Sequence, residues 1–347
     1  MRLKRFTALL VSGVLAASML AGCGGINKDA TVATLDGQEI KLGVANFAAR
    51  LQQAEADDFY RAYFGDGVWN SDLYGSGTTM ADSVKEGVIG SVENLYVLQN
   101  HMADYAVSLS DEETASIADT AAEFIAANDK KALDALGATE DIVKEYLTLV
   151  TIENKMRAAI IADADTNVSD ADANTSAYSY VRISKTTYTD ADGNSKEYTD
   201  DEKTELAETV KEFCKAAEEK TLDTAADEYG YTVNTGTFSA DNTTLDEEVL
   251  TALKALKSEG DLSDVVETDS NYYVLRLDEI TDEEATEQHR QEIISKRQDD
   301  LYDEVLQGWK DKAEWSLDEK VWDTVVFDNL FTTTPNTEAA DTTETSK

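Results

Sequence analysis

From residue 44 to residue 161, apolar side chains recur at helical spacing through segment after segment, and this run constrains the fold more than any other feature. Val44, Phe47, Ala48 and Leu51 follow an i, i+3, i+4, i+7 pattern. Val84, Val88, Val92, Leu95, Tyr96, Leu98 and Met102 mark one face of a long helix. Ser110 followed by Glu113 is the capping-box signature of another, with Ile117, Phe124 and Ile125 as apolar members. Gly137 closes a shorter helix, and Tyr146, Leu149, Ile152 and Met156 line one over 142–161. Ahead of the run, 31–35 and 38–42 flank Asp36-Gly37, which reads as a tight hairpin. Within it, 65–79 is rich in Gly, Asn, Asp and Ser and reads as a loop, with Trp69 and Tyr74 as its expected anchors.

A different pattern begins after 163–176, where small and acidic residues mark a boundary. Residues 178–184 read as a strand, and Asp192-Gly193 turns a hairpin between 187–190 and 196–199. Asp200 or Asp201 is placed to cap a helix over 205–217, and 222–229 is a second helix ended by Gly230. A strand over 231–238, an amphipathic helix over 245–256 and a strand over 271–280 follow. The pattern returns to helix over 285–317 through Ile293, Ile294, Leu301, Val305 and Trp309, then to a closing strand over 321–331. The Thr- and Glu-rich segment 332–347 reads as a disordered acidic tail. Mostly helix first and mixed elements later make the expected class α+β.

The N-terminus carries its own information. Arg2, Lys4 and Arg5 precede an apolar stretch over 6–20, then small residues up to Leu20-Ala21-Gly22-Cys23. That order is a secretory leader, and a cysteine just past the small residues resembles the bacterial lipobox, which implies lipidation at Cys23. The apolar run is shorter than the ~18 residues expected of a membrane span. Removing residues 1–22, with three basic and no acidic residues, takes the formal charge from −40 to −43. Such a chain repels a phosphate backbone, so nucleic acid is excluded as a partner, while basic or neutral polypeptides suit its field.

With Cys23 assigned to lipid, Cys214 stands alone and no intramolecular disulfide is expected. It belongs to the apolar face of 205–217 with Leu206, Val210, Phe213 and Ala217, as a small buried hydrophobe. His101 and His289 are the only histidines, too few for a zinc site or a Ser-His-Asp triad. The Asp-rich stretch 163–172 lacks the ligand spacing of a calcium loop. No metal and no cofactor are expected.

The order of elements, with three stretches of sequence, resembles the extracytoplasmic foldases of the PrsA/SurA type, in which a parvulin prolyl isomerase domain interrupts a helical chaperone domain. "VATLDGQEIKLGVANFAARLQ" resembles the family's N-terminal hairpin and first helix. "VSDADANTSAYSYVRIS" resembles the entry to its isomerase domain, and "LKSEGDLSDVVETDSNYYVLRL" the closing helix, turn and last strand. The resemblance implies a leader over 1–22, a helical chaperone domain over 23–165 and a parvulin-like domain over 176–281. It further implies a segment over 282–331 packing back on the first domain, ahead of the tail over 332–347.

Parvulins turn a peptide bond whose rotation barrier is roughly 18–20 kcal/mol without covalent chemistry. The resemblance implies an apolar proline pocket and a hydrogen-bonded histidine pair for that task. This chain has Tyr180 at the first histidine position and Tyr273 at the second, with Tyr272 beside it. Ser263 matches the family's serine, and Phe238, Leu245, Val249 and Leu253 match the pocket. The family's acid-bearing turn reads "VNTGTF", which keeps Gly236 and Phe238 and lacks the acid. Tyr180 and Tyr273 can form a polar pair or pack as cross-strand aromatics.

The implied function is a lipid-anchored, extracytoplasmic folding factor that holds unfolded or newly secreted polypeptides, with isomerase activity weak or lost. In the helical part, Tyr60, Tyr63, Phe64, Trp69 and Tyr74 either mark a client surface or staple their loop. An active isomerase using the two tyrosines is one alternative. A solute-binding lipoprotein is another, disfavoured because its two lobes would need repeated strand–helix alternation.

Overall fold

In the computed structural model of the chain, residues 13–19, 26–190 and 192–335 are described. Cys23, with its expected lipidation, and residues 336–347 of the expected tail lie outside the described residues. The chain divides into two compact units, one of residues 1–163 with 299–347 and the other of residues 164–298.

In the first unit, Gly13–Met19 is a strand (β1), and Thr31–Leu35 (β2) and Gln38–Lys41 (β3) form the expected hairpin. Its turn holds Asp36 at φ 51° and Gly37 at φ 82°. Both lie in the left-handed region that the two-residue hairpin turn demands and that Asp-Gly tolerates. Helices follow over Leu42–Phe64 (α1), Met80–Asn100 (α2), Asp111–Ala127 (α3), Lys130–Leu136 (α4) and Glu140–Ile161 (α5). The capping box is present: Ser110 Oγ accepts from Glu113 N at 3.2 Å, and Glu113 Oε2 accepts from Ser110 N at 2.8 Å. One apolar cluster gathers Leu35, Ile40, Leu98, Met156 and Ile160, and a second gathers Phe47, Phe124, Leu136 and Val143. Gly43 lets α1 run close to α5, since a Cβ there would lie 2.9 Å from Ile142 Cδ1.

The second unit begins with the short helix Asp170–Ala173 (α6) and the strand Thr175–Ser184 (β4), then a small hairpin of Thr187–Thr189 (β5) and Ser195–Glu197 (β6). Asp200–Glu219 (α7) is capped by Thr199, whose Oγ1 accepts from Glu202 N at 3.3 Å, and not by Asp200 or Asp201. The reason is the reciprocal bond from Thr199 N to Glu202 Oε2 at 2.7 Å, which only a residue three before Glu202 can form. Leu222–Tyr229 (α8), Val233–Ser239 (β7), Glu247–Ala255 (α9), Val266–Glu267 (β8) and Asn271–Glu279 (β9) complete it. The sheet is wholly antiparallel in the order β7-β4-β9-β8. One face packs Val181, Ile183 and Val274 against Phe213, Cys214 and Leu222 of α7 and α8. The other packs Tyr178, Leu275 and Leu277 against Phe238 and, from α9, Val249 and Leu253. The architecture is α+β.

The C-terminal part departs from several expectations. The long helix is Glu283–Lys310 (α10), ending short of residue 317. Its residues up to 298, expected with the C-terminal segment, group with the second unit. There Arg290 Nη1 donates to Val168 O at 2.6 Å and Arg297 Nη1 to Asn167 O at 3.1 Å. Trp315–Leu317 is a strand (β10) on the edge of the N-terminal hairpin, with Trp315 opposite Leu35. Residues 321–331 are not one strand: Glu319–Trp322 is a helical turn (α11) capped by Asp318, and Asn329–Pro335 is the strand (β11). Residues 332–335 of the expected tail therefore belong to β11, which pairs antiparallel with β1 inside the expected leader.

Buried groups of α1 hold this end of the first unit. Arg50, 2% exposed, donates from Nη1 to Val326 O at 2.5 Å and from Nε to Ala135 O at 3.1 Å. Asp57 accepts from Trp69 Nε1 at 3.0 Å and from Phe331 N. Trp69 is thus the buried staple of its loop. Tyr74, 82% exposed, is not an anchor, because nothing apolar covers its ring.

Candidate functional site

The alternation of β4 puts Tyr178, Tyr180 and Arg182 on one face of the sheet, and the antiparallel register sets Tyr273 of β9 opposite Arg182. Tyr180 lies opposite Leu275, so Tyr180 and Tyr273 are diagonal partners across the two strands. Their ring centroids are 6.2 Å apart at 45°. Tyr178 stacks on Tyr180 at 5.5 Å and meets Phe238 edge-on at 5.8 Å. Gly236 permits this: a Cβ there would lie 3.0 Å from the Tyr178 ring. The two family-implied tyrosines are therefore together, within an aromatic row that also includes Tyr178.

A shallow pocket of about 220 Å³ opens beside the row. Tyr178, Tyr180, Arg182 and Tyr273 form one side, and Leu245, Asp246 and Val249, at the start of α9, form the other. Leu245 and Val249 are among its lining residues. Phe238 and Leu253, 8% and 1% exposed, pack beneath as core and do not reach its surface. Ser263 is buried and occupied by the backbone: its N donates to Leu275 O at 2.9 Å, and its Oγ accepts from Leu275 N at 3.0 Å. Its Oγ fixes the strand that carries Tyr273 and does not point a free hydroxyl at the pocket. Cys214 donates to Ser263 O at 3.6 Å from behind the sheet, and burial pushes its thiol up to about 11.

Two charged residues of the pocket, Arg182 and Asp246, carried no weight in the sequence reading. Arg182 was findable, since it lies two residues beyond Tyr180 in an alternating strand. Asp246 precedes the apolar face of a helix, the position of an N-cap. Desolvation raises the Tyr273 phenol above its ordinary value, the Asp246 charge adds to that, and Arg182 partly offsets both. Desolvation likewise raises Tyr178, with Tyr180 and Tyr273 contributing. Phenols held this way stay protonated near neutral pH, so these two rings offer O–H groups and apolar faces, not a base.

Residues 184–290 match the family model of the PPIC-type PPIASE domain. The match begins at the last residue of β4 and runs into α10, so it includes Phe238, Leu245, Ser263 and Tyr273, while Tyr180 lies just before it. The matched stretch lies within the second unit, so it is this α+β unit that is similar to the PPIC-type domain. Similar solved structures include the foldase protein PrsA from Lactococcus lactis, 13% identical with a TM-score of 0.33, covering 85% of this chain and 97% of that one. They also include the peptidylprolyl isomerase PrsA from Bacillus anthracis, 19% identical with a TM-score of 0.28, covering 65% and 96%. No curated protein matches the chain. Among the described residues no group of three or more His, Cys, Asp or Glu could hold a metal ion, and no helix is long and apolar enough to cross a membrane.

Proposed function

We propose that the chain is a membrane-anchored, extracytoplasmic folding factor that holds secreted polypeptides, with prolyl isomerase activity weak or lost. The PPIC-type domain supports a role in protein folding. The observation that carries the second half is the Tyr180–Tyr273 pair beside a shallow pocket. Two phenols replace the imidazoles that the family resemblance implies, and on the side facing the tyrosines the pocket offers a proline ring only Leu245, just ahead of α9, and Val249 within it. A tight enclosure of the ring is what would favour the twisted amide over the planar one.

A protease-coupled assay on a proline tetrapeptide tests this. The expected rate is indistinguishable from the uncatalysed isomerisation, which takes tens to hundreds of seconds, and Tyr273→Ala leaves it unchanged. Turnover well above background that falls with Tyr273→Ala overturns the reading. Holding is tested by light scattering of a heat-labile client: suppression at near-equimolar chain supports it, and unchanged aggregation refutes it.

The anchor is proposed at Cys23, after removal of residues 1–22. Losing β1 would not free β11, because Phe331 keeps its bond to Asp57 and accepts from Arg61 Nη1 at 3.2 Å. Cys23→Ala is expected to release the chain from the membrane fraction, and retention there refutes the anchor.

A further inference from the structure

A second cavity lies in the first unit, far in sequence from the tyrosine row. It is an open cleft of about 870 Å³ walled by α1, α2, α3 and α5. Each of the first three helices contributes one face at i, i+3, i+4, i+7 spacing, as with Val88, Ser91, Val92 and Leu95 of α2. Its floor lies where the unit's two apolar clusters part: Ala48, Val92 and Leu95 belong to one, Leu51, Ile117 and Leu147 to the other. Apolar surface that a compact unit could have joined is left open, which is how docking grooves differ from cores.

Charge identifies what the cleft fits. Glu113 is matched by Lys155 at 2.7 Å. Glu55 and Glu153 also line the cleft, on α1 and α5, and make no ion pair among the described residues. Tyr146 lines the same cleft, and desolvation, then the Glu55 and Glu153 charges, push its phenol up to about 12. Desolvation raises both carboxyl groups as well, although Arg157 partly offsets this at Glu153. Glu55 is solvent-exposed as a residue, so the half-buried Glu153 carries more of this argument. A cation entering the cleft would relieve both carboxylates.

Every wall is helix, so the backbone amides are already bonded and no strand edge is available for β-augmentation. Recognition must come from side chains laid against an apolar floor.

We propose that this cleft binds an amphipathic helical segment of a client polypeptide, apolar on one face and bearing Lys or Arg at the edge of that face. The proposal deepens the holding role and rests on it for the word client; the cleft's preference for basic helices can be measured without it.

The experiment uses the full-length chain and two fluorescein-labelled helical peptides about five turns long. They have the same Leu/Ala face, one with lysines and one with glutamates at its edge, and binding is followed by anisotropy. The lysine peptide is expected to bind at least about tenfold more tightly, equivalent to 1.4 kcal/mol, and to weaken as salt is added. Glu55→Gln/Glu153→Gln is expected to erase the preference, and Ala158→Trp, at an exposed lining position, to abolish binding of both peptides. Circular dichroism and melting confirm that each variant is folded, and Ser91→Trp replaces any that is not. Equal affinity for the two peptides, or a preference that survives the double substitution, overturns the proposal. If the Trp variant still suppresses client aggregation while the wild-type chain binds neither peptide, the cleft proposal falls and the holding role stands. If the peptides bind as expected but aggregation is never suppressed, the holding role falls and the cleft remains.

Discussion

Ser263 shows how a family-implied site residue can be structural. Its Oγ accepts from a buried backbone amide, Leu275 N, beneath the strand that carries Tyr273. Ser263→Ala leaves that donor unpaired, at a cost of about 1–3 kcal/mol, read as a lowered urea midpoint with unchanged slope. Cys214 is its neighbour, and a thiol pushed up to about 11 is protonated at pH 8. Native protein is therefore expected to react with a thiol reagent far more slowly than urea-unfolded protein, and equal rates would show the thiol to be exposed. At this scale the antiparallel register of β4 and β9 brings Tyr180 and Tyr273 together as diagonal partners across the two strands. The sequence reading places Phe238 and Leu253 in the pocket, yet they pack below it, because apolar residues at regular spacing look alike whether they line a surface or fill a core.

Elements defined by their own few residues were legible, and elements defined by distant partners were not. The Asp36-Gly37 turn, the Ser110 cap and the stops at Gly137 and Gly230 are all present, with Gly137 and Gly230 at φ 68° and 73°. The strand β10 has no counterpart in the sequence reading, and the closing strand expected over 321–331 is displaced to β11, because their pairing partners, β2 and β1, lie near the opposite end of the chain and no local signal carries that register. Ser110→Ala is expected to cost about 1 kcal/mol through the lost cap, measured by chemical denaturation. Glu113 adds a pH dependence. Its hydrogen bond from Lys155, then that from Ser110 N, lowers its carboxyl below the ordinary 4.5. A folded-state pKa below the unfolded one gives stability that is present above pH 4.5 and lost as pH falls through the lowered value. The stability gap between wild type and Glu113→Gln should therefore be constant near neutrality and close below pH 4.5. A gap that widens on acidification would contradict the pairing.

For the whole molecule, each unit has apolar clusters of its own: two lie within residues 1–163 and 299–347, and two within 164–298. The sequence places a boundary near 163–176 and the return at 282, whereas the second unit runs to residue 298, because a continuous helix such as α10 carries no composition change where one core ends and the other begins. Separate cores imply separate cooperativity. Phe124 and Phe213 are buried, at 1% and 0% exposure, one in each unit. Truncating either to alanine removes ring contacts with Phe47 in the first case and with Tyr229 and Tyr231 in the second, at a cost of about 3–5 kcal/mol. Calorimetry of the full chain is expected to resolve two transitions, with Phe124→Ala lowering one and Phe213→Ala the other. Because Tyr178, Tyr180 and Tyr273 all belong to the second unit, their near-ultraviolet signal should follow only the transition that Phe213→Ala moves. If each substitution lowers both transitions equally, the two cores unfold as one, and the pocket's integrity depends on the helical unit as well.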